Sequence, residues 1–165
     1  MRLRFGTELT MLYLCGRYNA LMRYINDIIV HSTATPAGRE VSLAEVESWH
    51  KARGWRGCGY HYLIHLDGTI DNGAYISQPG THCRGHNAHS IGVCYVGGVD
   101  KDYKAEDTRT PAQKRVMKQL LVRLVKMYRC QVHGHRDYCS TDCPSFDVHL
   151  EYDGMVKSIL EPKIY

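Results

Sequence analysis

The sequence has few of the features that mark non-globular proteins. Only 5 of its 165 residues are proline, and it contains neither an internal repeat nor a low-complexity tract. Hydrophobic residues make up 44% and charged residues 23%, which are the proportions of an ordinary globular domain. These values exclude disordered, collagen-like and coiled-coil classes, and the length predicts a single domain.

Long runs of one residue type are also missing. No apolar run approaches the roughly 20 residues that a membrane span requires, so we expect none. The net charge is +4, but no basic run is long enough to form an arm that binds nucleic acid. Nucleic acid is therefore not an expected partner.

The first residues of the chain give only weak signals. Basic residues precede a short apolar stretch, but Glu8 interrupts the pattern and no small-residue cleavage site follows. We therefore expect synthesis in the cytoplasm without a signal peptide. A regular hydrophobic pattern begins at Met22, so residues 1–21 are predicted to form an N-terminal extension and residues 22–165 the working domain.

Histidine and cysteine, in contrast, are abundant. The chain has 10 histidines and 7 cysteines, and both residue types supply zinc ligands. The odd number of cysteines and their irregular spacing indicate that most are reduced thiols. Four cysteines are scattered singly, and we expect each to be a small buried apolar side chain; they are Cys58, Cys83, Cys94 and Cys130.

Hydrophobic periodicity predicts strands that alternate with helices. The predicted strands cover residues 25–30, 60–66, 69–71 and 90–96, and a further strand is predicted to end near residue 133. The predicted helices lie between residues 42 and 54, between residues 110 and 128, and after residue 147. Ser42 and Thr110 each open a capping box. Asp67 and Gly68 are typical of a tight hairpin turn, which adds an antiparallel strand pair. The predicted fold is α/β, a single domain with a mixed central sheet flanked by helices.

Three residues have the chemistry of a catalytic zinc site. His31 lies at the end of a predicted strand, and His135 and Cys143 share one loop. A catalytic zinc ion generally has three protein ligands and leaves a fourth position for water, whereas a structural ion has four. Two alternatives stay open: these residues are partly buried without a metal, or a local closed site uses His133, His135, Cys139 and Cys143 and does not need His31.

Several short motifs occur in order between residues 28 and 148. They include His31-Ser32-Thr33, Trp49-His50-Lys51, Gly59-Tyr60-His61-Tyr62, Ser90-Ile91-Gly92-Val93, Gly134-His135-Arg136-Asp137 and Cys143-Pro144-Ser145-Phe146-Asp147. In these motifs the chain resembles the zinc-dependent N-acetylmuramoyl-L-alanine amidases of the type 2 amidase and peptidoglycan recognition protein superfamily, above all the endolysins of T-odd phages. The resemblance implies a mixed sheet flanked by helices, and a groove for peptidoglycan with one zinc ion at its floor.

The resemblance also implies roles for individual residues. It makes His31, His135 and Cys143 the zinc ligands, and it makes Tyr60 a catalytic hydroxyl that orients water or hydrogen-bonds to the transition state. Thr141 stands where the phage enzymes typically carry lysine. A threonine offers a neutral hydroxyl, so we interpret Thr141 as a weaker donor to an oxyanion.

Two further positions match residues of the family's groove. His82 and Asn87 are implied to contact the muramyl group or the stem peptide. The implied reaction is hydrolysis of the amide between N-acetylmuramic acid and L-alanine by water that zinc activates, so no nucleophilic side chain is needed. The expected partner is peptidoglycan in the cell wall, reached after release or export, and the expected oligomeric state is a monomer.

Two other functions stay open on sequence alone. A non-catalytic recognition module would hold peptidoglycan without cutting it, but such relatives usually lack the cysteine ligand, which is present here as Cys143. A zinc-stabilised interaction domain would use the metal only for folding, and Tyr60 would then be dispensable. Two interpretations of Asp137 stay open. Its carboxylate accepts a hydrogen bond from a ligand imidazole, or the residue forms part of a surface turn.

Overall fold

A computed structural model describes residues 23–162 of the chain. The strands are β1 (Asp27–Ser32), β2 (Thr35–Pro36), β3 (Tyr62–Ile64), β4 (Ile70–Asn72), β5 (Ser90–Tyr95), β6 (Gly98–Val99) and β7 (Gln131–Gly134). The helices are α1 (Leu43–Ala52), α2 (Pro111–Tyr128) and α3 (Val148–Leu160), with short 3₁₀ turns at Asn87–His89 and His135–Asp137. The predicted extension at residues 1–21 lies outside the described residues.

Five strands form one mixed sheet. Their order is β4-β3-β5-β1-β7, and β2 pairs with β6 in a separate parallel pair. β3, β5, β1 and β7 run parallel, whereas β4 joins the edge antiparallel to β3. The predicted α/β fold with a mixed central sheet is therefore confirmed.

Helices cover both faces of this sheet. On one face Ile28, Val30 and Val93 belong to the large core cluster that α2 and α3 complete. On the opposite face Cys94 packs in a smaller cluster with Val46 of α1. Because side chains alternate along a strand, this pattern turns His31 toward the α1 face.

The sequence predicted capping boxes at the starts of two helices, and the structure contains one of them completely and the other in part. α2 begins at a complete capping box formed by Thr110 and Gln113. Ser42 caps α1 by accepting a hydrogen bond from the backbone N–H of Glu45, but the Glu45 carboxylate pairs with Arg39. The second capping box is therefore only half formed, because an arginine competes for its carboxylate.

Most strand boundaries differ by one or two residues from those that the sequence predicted, and two of the differences change the local structure. β1 starts and ends two residues later than predicted, so His31 lies within the strand. In the hairpin Ile64 pairs with Ile70, so the connection spans residues 65–69 and is longer than a two-residue turn. Gly68 has a φ of 89° in this connection, a value that glycine adopts without strain.

The four singly placed cysteines are buried free thiols, as predicted. Among residues 23–162, no helix is both long enough and apolar enough to cross a membrane.

Two buried histidines accept hydrogen bonds from the backbone. Nδ1 of His50 accepts from the N–H of Gly59, and Nδ1 of His61 accepts from the N–H of Gly92, both at 2.9 Å. Burial lowers the pKa of each imidazole to about 4. The folded protein therefore contains both rings in the neutral form, and both support the fold by accepting backbone hydrogen bonds.

We predict that acid destabilises the fold through these two rings. Below about pH 6.5 the unfolded chain binds protons that folded His50 and His61 do not bind. The free energy of unfolding should therefore fall between pH 6.5 and 4, by up to about 1.4 kcal/mol per pH unit for each ring. Urea denaturation between pH 7.5 and 5 measures this slope. The variant His61→Asn keeps an acceptor for Gly92 but cannot titrate, and an unchanged slope in it would contradict the assignment.

Candidate metal centre and active site

The candidate site lies where β1 and β7 end at the same edge of the sheet. Val30 pairs with Gly134 across the two parallel strands. The residues that follow them in the chain, His31 and His135, therefore lie side by side. The centroids of their rings are 4.5 Å apart. The strand register thus brings together two imidazoles that are distant in the sequence.

Cys143 completes a group of three possible ligands. Its Sγ lies 3.9 Å from Nδ1 of His31, and the ligand atoms of His31, His135 and Cys143 all lie within 4.8 Å of one another. Nitrogen and sulfur ligands of a tetrahedral zinc ion, at about 2.0 and 2.3 Å from the metal, lie about 3.6 Å apart. The donor types and their spacing therefore fit zinc.

Hydrogen bonds hold the Cys143 loop against β1. The N–H of Ser32 donates to the Cys143 sulfur at 3.2 Å, and the Ser32 hydroxyl lies 3.8 Å from it. The N–H of Arg136 donates to the Cys143 carbonyl at 2.8 Å, and the Tyr95 hydroxyl donates to the Pro144 carbonyl at 2.7 Å. The thiol is therefore positioned by the protein itself.

Burial determines the protonation of the three ligands. It lowers the pKa of His31 well below its usual value, and neighbouring His82 and His135 lower it further. Burial also lowers the pKa of His135 and raises that of the Cys143 thiol, although hydrogen bonds from Ser32 oppose the second effect. In the metal-free protein at neutral pH, the two imidazoles are neutral and the thiol carries its proton.

Tyr60 lies beside this group. Its ring centroid is 5.1 Å from that of His31 and 5.2 Å from that of His50. Burial raises the pKa of the Tyr60 hydroxyl well above its usual value. The hydroxyl therefore keeps its proton at neutral pH and can donate a hydrogen bond near the ligands.

Comparison with known proteins identifies the family. The profile of the N-acetylmuramoyl-L-alanine amidase family (Amidase_2) matches residues 21–146. The chain belongs to this amidase family. The endolysin of Escherichia phage T7 is 41% identical to this amidase over 122 residues, which cover 73% of this chain and 81% of the endolysin.

A second relative and a solved structure agree with this assignment. Peptidoglycan-recognition protein SC2 of Drosophila melanogaster is 30% identical over 144 residues, covering 80% of this chain and 74% of that protein. The endolysin N-acetylmuramoyl-L-alanine amidase LysCS from Clostridium intestinale URNW superposes with a TM-score of 0.69 at 28% identity, covering 85% of this chain and 86% of that chain. The resemblance to type 2 amidases is confirmed, and the enzymatic function is better supported than a recognition module.

Thr141 forms a turn next to the metal ligand. It is exposed, and its Oγ1 accepts a hydrogen bond from the N–H of Cys143 at 3.2 Å. A hydroxyl that accepts one bond can still donate its own proton. Its role as an oxyanion donor in the amidase stays a prediction.

His82 has protein partners on both ring nitrogens. It is 7% exposed, and its Nδ1 lies 3.1 Å from Nε2 of His31 while its Nε2 lies 3.3 Å from Oγ of Ser90. This arrangement leaves neither nitrogen free for a ligand. The predicted contact between His82 and substrate stays untested, and the structure connects the ring to His31 instead.

Asn87 supports the loop that carries His82. Its Oδ1 accepts hydrogen bonds from the N–H groups of His82 and Cys83, both at 2.9 Å. Its backbone carbonyl accepts from the Arg23 guanidinium at 2.9 Å. A contact between Asn87 and the substrate likewise stays a prediction.

Within residues 23–162 the alternative closed metal site is not assembled. His133 lies with Asp137 and His149, away from the group that contains Cys143. Oδ2 of Asp137 accepts from the N–H of Gly134 at 2.7 Å and lies 3.0 Å from Nε2 of His149. Asp137 therefore braces the turn that carries His135, and the ligand imidazoles are not its partners.

The sequence predicted no role for three contributors to the site, although two of them, Ser32 and Ser90, lie within the family motifs. Ser32 contacts Cys143 across 111 residues, and Ser90 contacts His82. The Arg23 guanidinium donates to four backbone carbonyls of the segment that carries His82; they belong to Ile76, Asn87, Ala88 and Ser90. Each contact depends on tertiary structure, so periodicity and spacing do not reveal it.

We predict that zinc binding near pH 7 releases about one proton. Cys143 must lose its proton to bind the metal, whereas His31 and His135 are already neutral. Apparent zinc affinity should therefore rise about tenfold per pH unit up to the pKa of the thiol. Calorimetry in buffers of different ionisation enthalpy counts the protons. Zinc-bound water can release up to one further proton near neutral pH, so release of three protons would show that at least one imidazole is charged in the free protein.

Proposed function

We propose that this amidase holds one zinc ion with His31, His135 and Cys143 and hydrolyses the amide between N-acetylmuramic acid and L-alanine in peptidoglycan. The observation that supports the metal site is the convergence of two neutral imidazoles and one thiol within 4.8 Å. When bound, zinc would make water nucleophilic near neutral pH and would polarise the amide carbonyl. The chain's own groups then supply orientation and hydrogen bonding.

Tyr60 is the proposed hydrogen-bond donor of the site. Its hydroxyl stays protonated because desolvation raises its pKa well above the usual value, and its ring packs against those of His31 and His50. A hydrogen bond from this hydroxyl strengthens as negative charge develops on the carbonyl oxygen of the substrate. Such a bond stabilises the transition state more than the bound substrate.

Thr141 is the second proposed donor. Its Oγ1 is held by the N–H of Cys143, which keeps the hydroxyl close to a metal ligand. Because the group is neutral, its bond to a developing oxyanion is weaker than that of a charged side chain. We therefore assign most of the stabilisation by side chains to Tyr60.

The proposed partner is peptidoglycan in the cell wall, which the enzyme reaches after synthesis in the cytoplasm. We propose a monomer as the active form and residues 22–165 as the catalytic domain. The family match, which starts at residue 21, supports this boundary.

Digestion of purified peptidoglycan tests the proposed function. We expect mass spectrometry to detect free stem peptides that begin with L-alanine when the protein is loaded with zinc. A chelated sample and the variant His31→Ala should release none, because both lack the metal. Intact polymer that sediments together with zinc-loaded protein would contradict the proposal and favour a recognition module.

The variant Tyr60→Phe tests the proposed donor. We expect zinc content to stay at the wild-type level and kcat to fall by about 100-fold or more, because one donor to the transition state is lost. Tyr62→Phe is the matched control, since Tyr62 packs against the large core cluster on the opposite face. Wild-type kcat in Tyr60→Phe would remove Tyr60 from the mechanism.

A further inference from the structure

We infer that His82 is a positioning residue that fixes the tautomer of His31, so that Nδ1 of His31 presents its lone pair toward Cys143. The inference rests on the proposed zinc site and concerns how the protein prepares one ligand before the metal binds. It follows from a chain of three hydrogen bonds that runs from a backbone carbonyl to His31.

The donor and acceptor roles in this chain of hydrogen bonds are set at the end that is farthest from His31. Oγ of Ser90 lies 2.8 Å from the carbonyl oxygen of His86. A carbonyl can only accept, so the Ser90 hydroxyl donates its single proton there. Toward His82 the same oxygen, at 3.3 Å, can then only accept, and Nε2 of His82 must carry a proton.

The second link follows from the burial of His82. A buried imidazole without an acidic partner stays neutral, and the described neighbours bonded to its ring are the uncharged Ser90 and His31. With its proton on Nε2, His82 has a bare Nδ1 that can only accept. Nε2 of His31, 3.1 Å away, must therefore be the donor.

The last link reaches the metal site. His31 is 1% exposed and neutral, so a proton on Nε2 leaves Nδ1 bare. Nδ1 is the atom that lies 3.9 Å from the Cys143 sulfur. The chain of hydrogen bonds therefore selects the one tautomer of His31 that can bind a metal beside Cys143 and His135.

Steric contacts hold the His82 ring in place. A Cβ atom at Gly92 would lie 2.7 Å from Cγ of His82, and one at Gly80 would lie 2.8 Å from Cδ2. The ring thus occupies a slot between two residues without side chains, which we call the glycine slot. Asn87 fixes the backbone of His82 at the same time by accepting a hydrogen bond from its N–H.

This arrangement differs from the usual support of a metal-bound histidine. Such ligands generally donate their second N–H to a carboxylate, a backbone carbonyl or water, and loss of that partner costs about 10- to 100-fold in metal affinity. Here the acceptor is a second neutral imidazole. It orients His31 without adding negative charge to the buried site.

The tautomers can be measured in the zinc-free wild-type protein. Long-range ¹H–¹⁵N correlation spectra distinguish a proton on Nδ1 from one on Nε2. We expect both His31 and His82 to carry their proton on Nε2 at pH 7. A proton on Nδ1 of His31 would overturn the inference, and this measurement requires neither metal nor a variant.

Two substitutions at His82 separate positioning from packing. The amide oxygen of His82→Asn can replace Nδ1 as the acceptor for His31, whereas the longer side chain of His82→Gln places its amide toward Ser90. We expect the zinc dissociation constant to rise about 10- to 100-fold in His82→Gln and to stay close to wild type in His82→Asn. Competition with a chromophoric chelator measures both values.

His65→Gln is the matched control, because it makes the same substitution at a half-buried histidine that pairs with Glu40 and Asp71 and contacts neither His31 nor His82. It should change zinc affinity little. Equal loss of affinity in both His82 variants, or no loss in His82→Gln, would overturn the inference. If the wild-type protein failed to bind zinc at all, the proposed metal site would be refuted, and the tautomer of His31 would still decide the positioning role.

Discussion

The parallel pairing of β1 with β7 is the constraint on which the site depends. Val30 lies opposite Gly134 because Ile28 and Val30 must both face the large core, and a slip by one residue would turn them to the other face. The hydrophobic burial that stabilises the sheet therefore also sets His31 beside His135. Gly134 contributes in a second way, since a Cβ there would lie 3.0 Å from Pro144 and would push the Cys143 loop away.

Three histidines at and beside the site are buried and neutral, whereas Thr141 is exposed. His31, His61 and His82 are each at most 7% exposed, and each uses a ring nitrogen to satisfy a neighbouring polar atom. Neutral imidazoles avoid the cost of burying charge and keep lone pairs available. Because acid protonates these imidazoles, it weakens the fold and the metal site together.

Local signals predicted those parts of the fold and site that local sequence determines. The capping box at Thr110 fixed the start of α2, and the motifs around His31, His135 and Cys143 indicated the three ligands. The end of β1 and the contacts of Ser32 could not be predicted in this way. They depend on strand register and on a thiol 111 residues away, which no periodicity encodes. For His82 the motif indicated importance, but only tertiary geometry shows which atoms it touches.

The glycine slot has a consequence for how this sequence can change. Any side chain at Gly80 or Gly92 occupies the space of the His82 ring, whereas a smaller residue at position 82 leaves a void between two glycines. A side chain at either glycine therefore fits only if the residue at position 82 also becomes smaller, so the three positions are coupled. Variation at Gly80 or Gly92 must be accompanied by a change at position 82, and a library that randomises one glycine alone samples mostly misfitted variants.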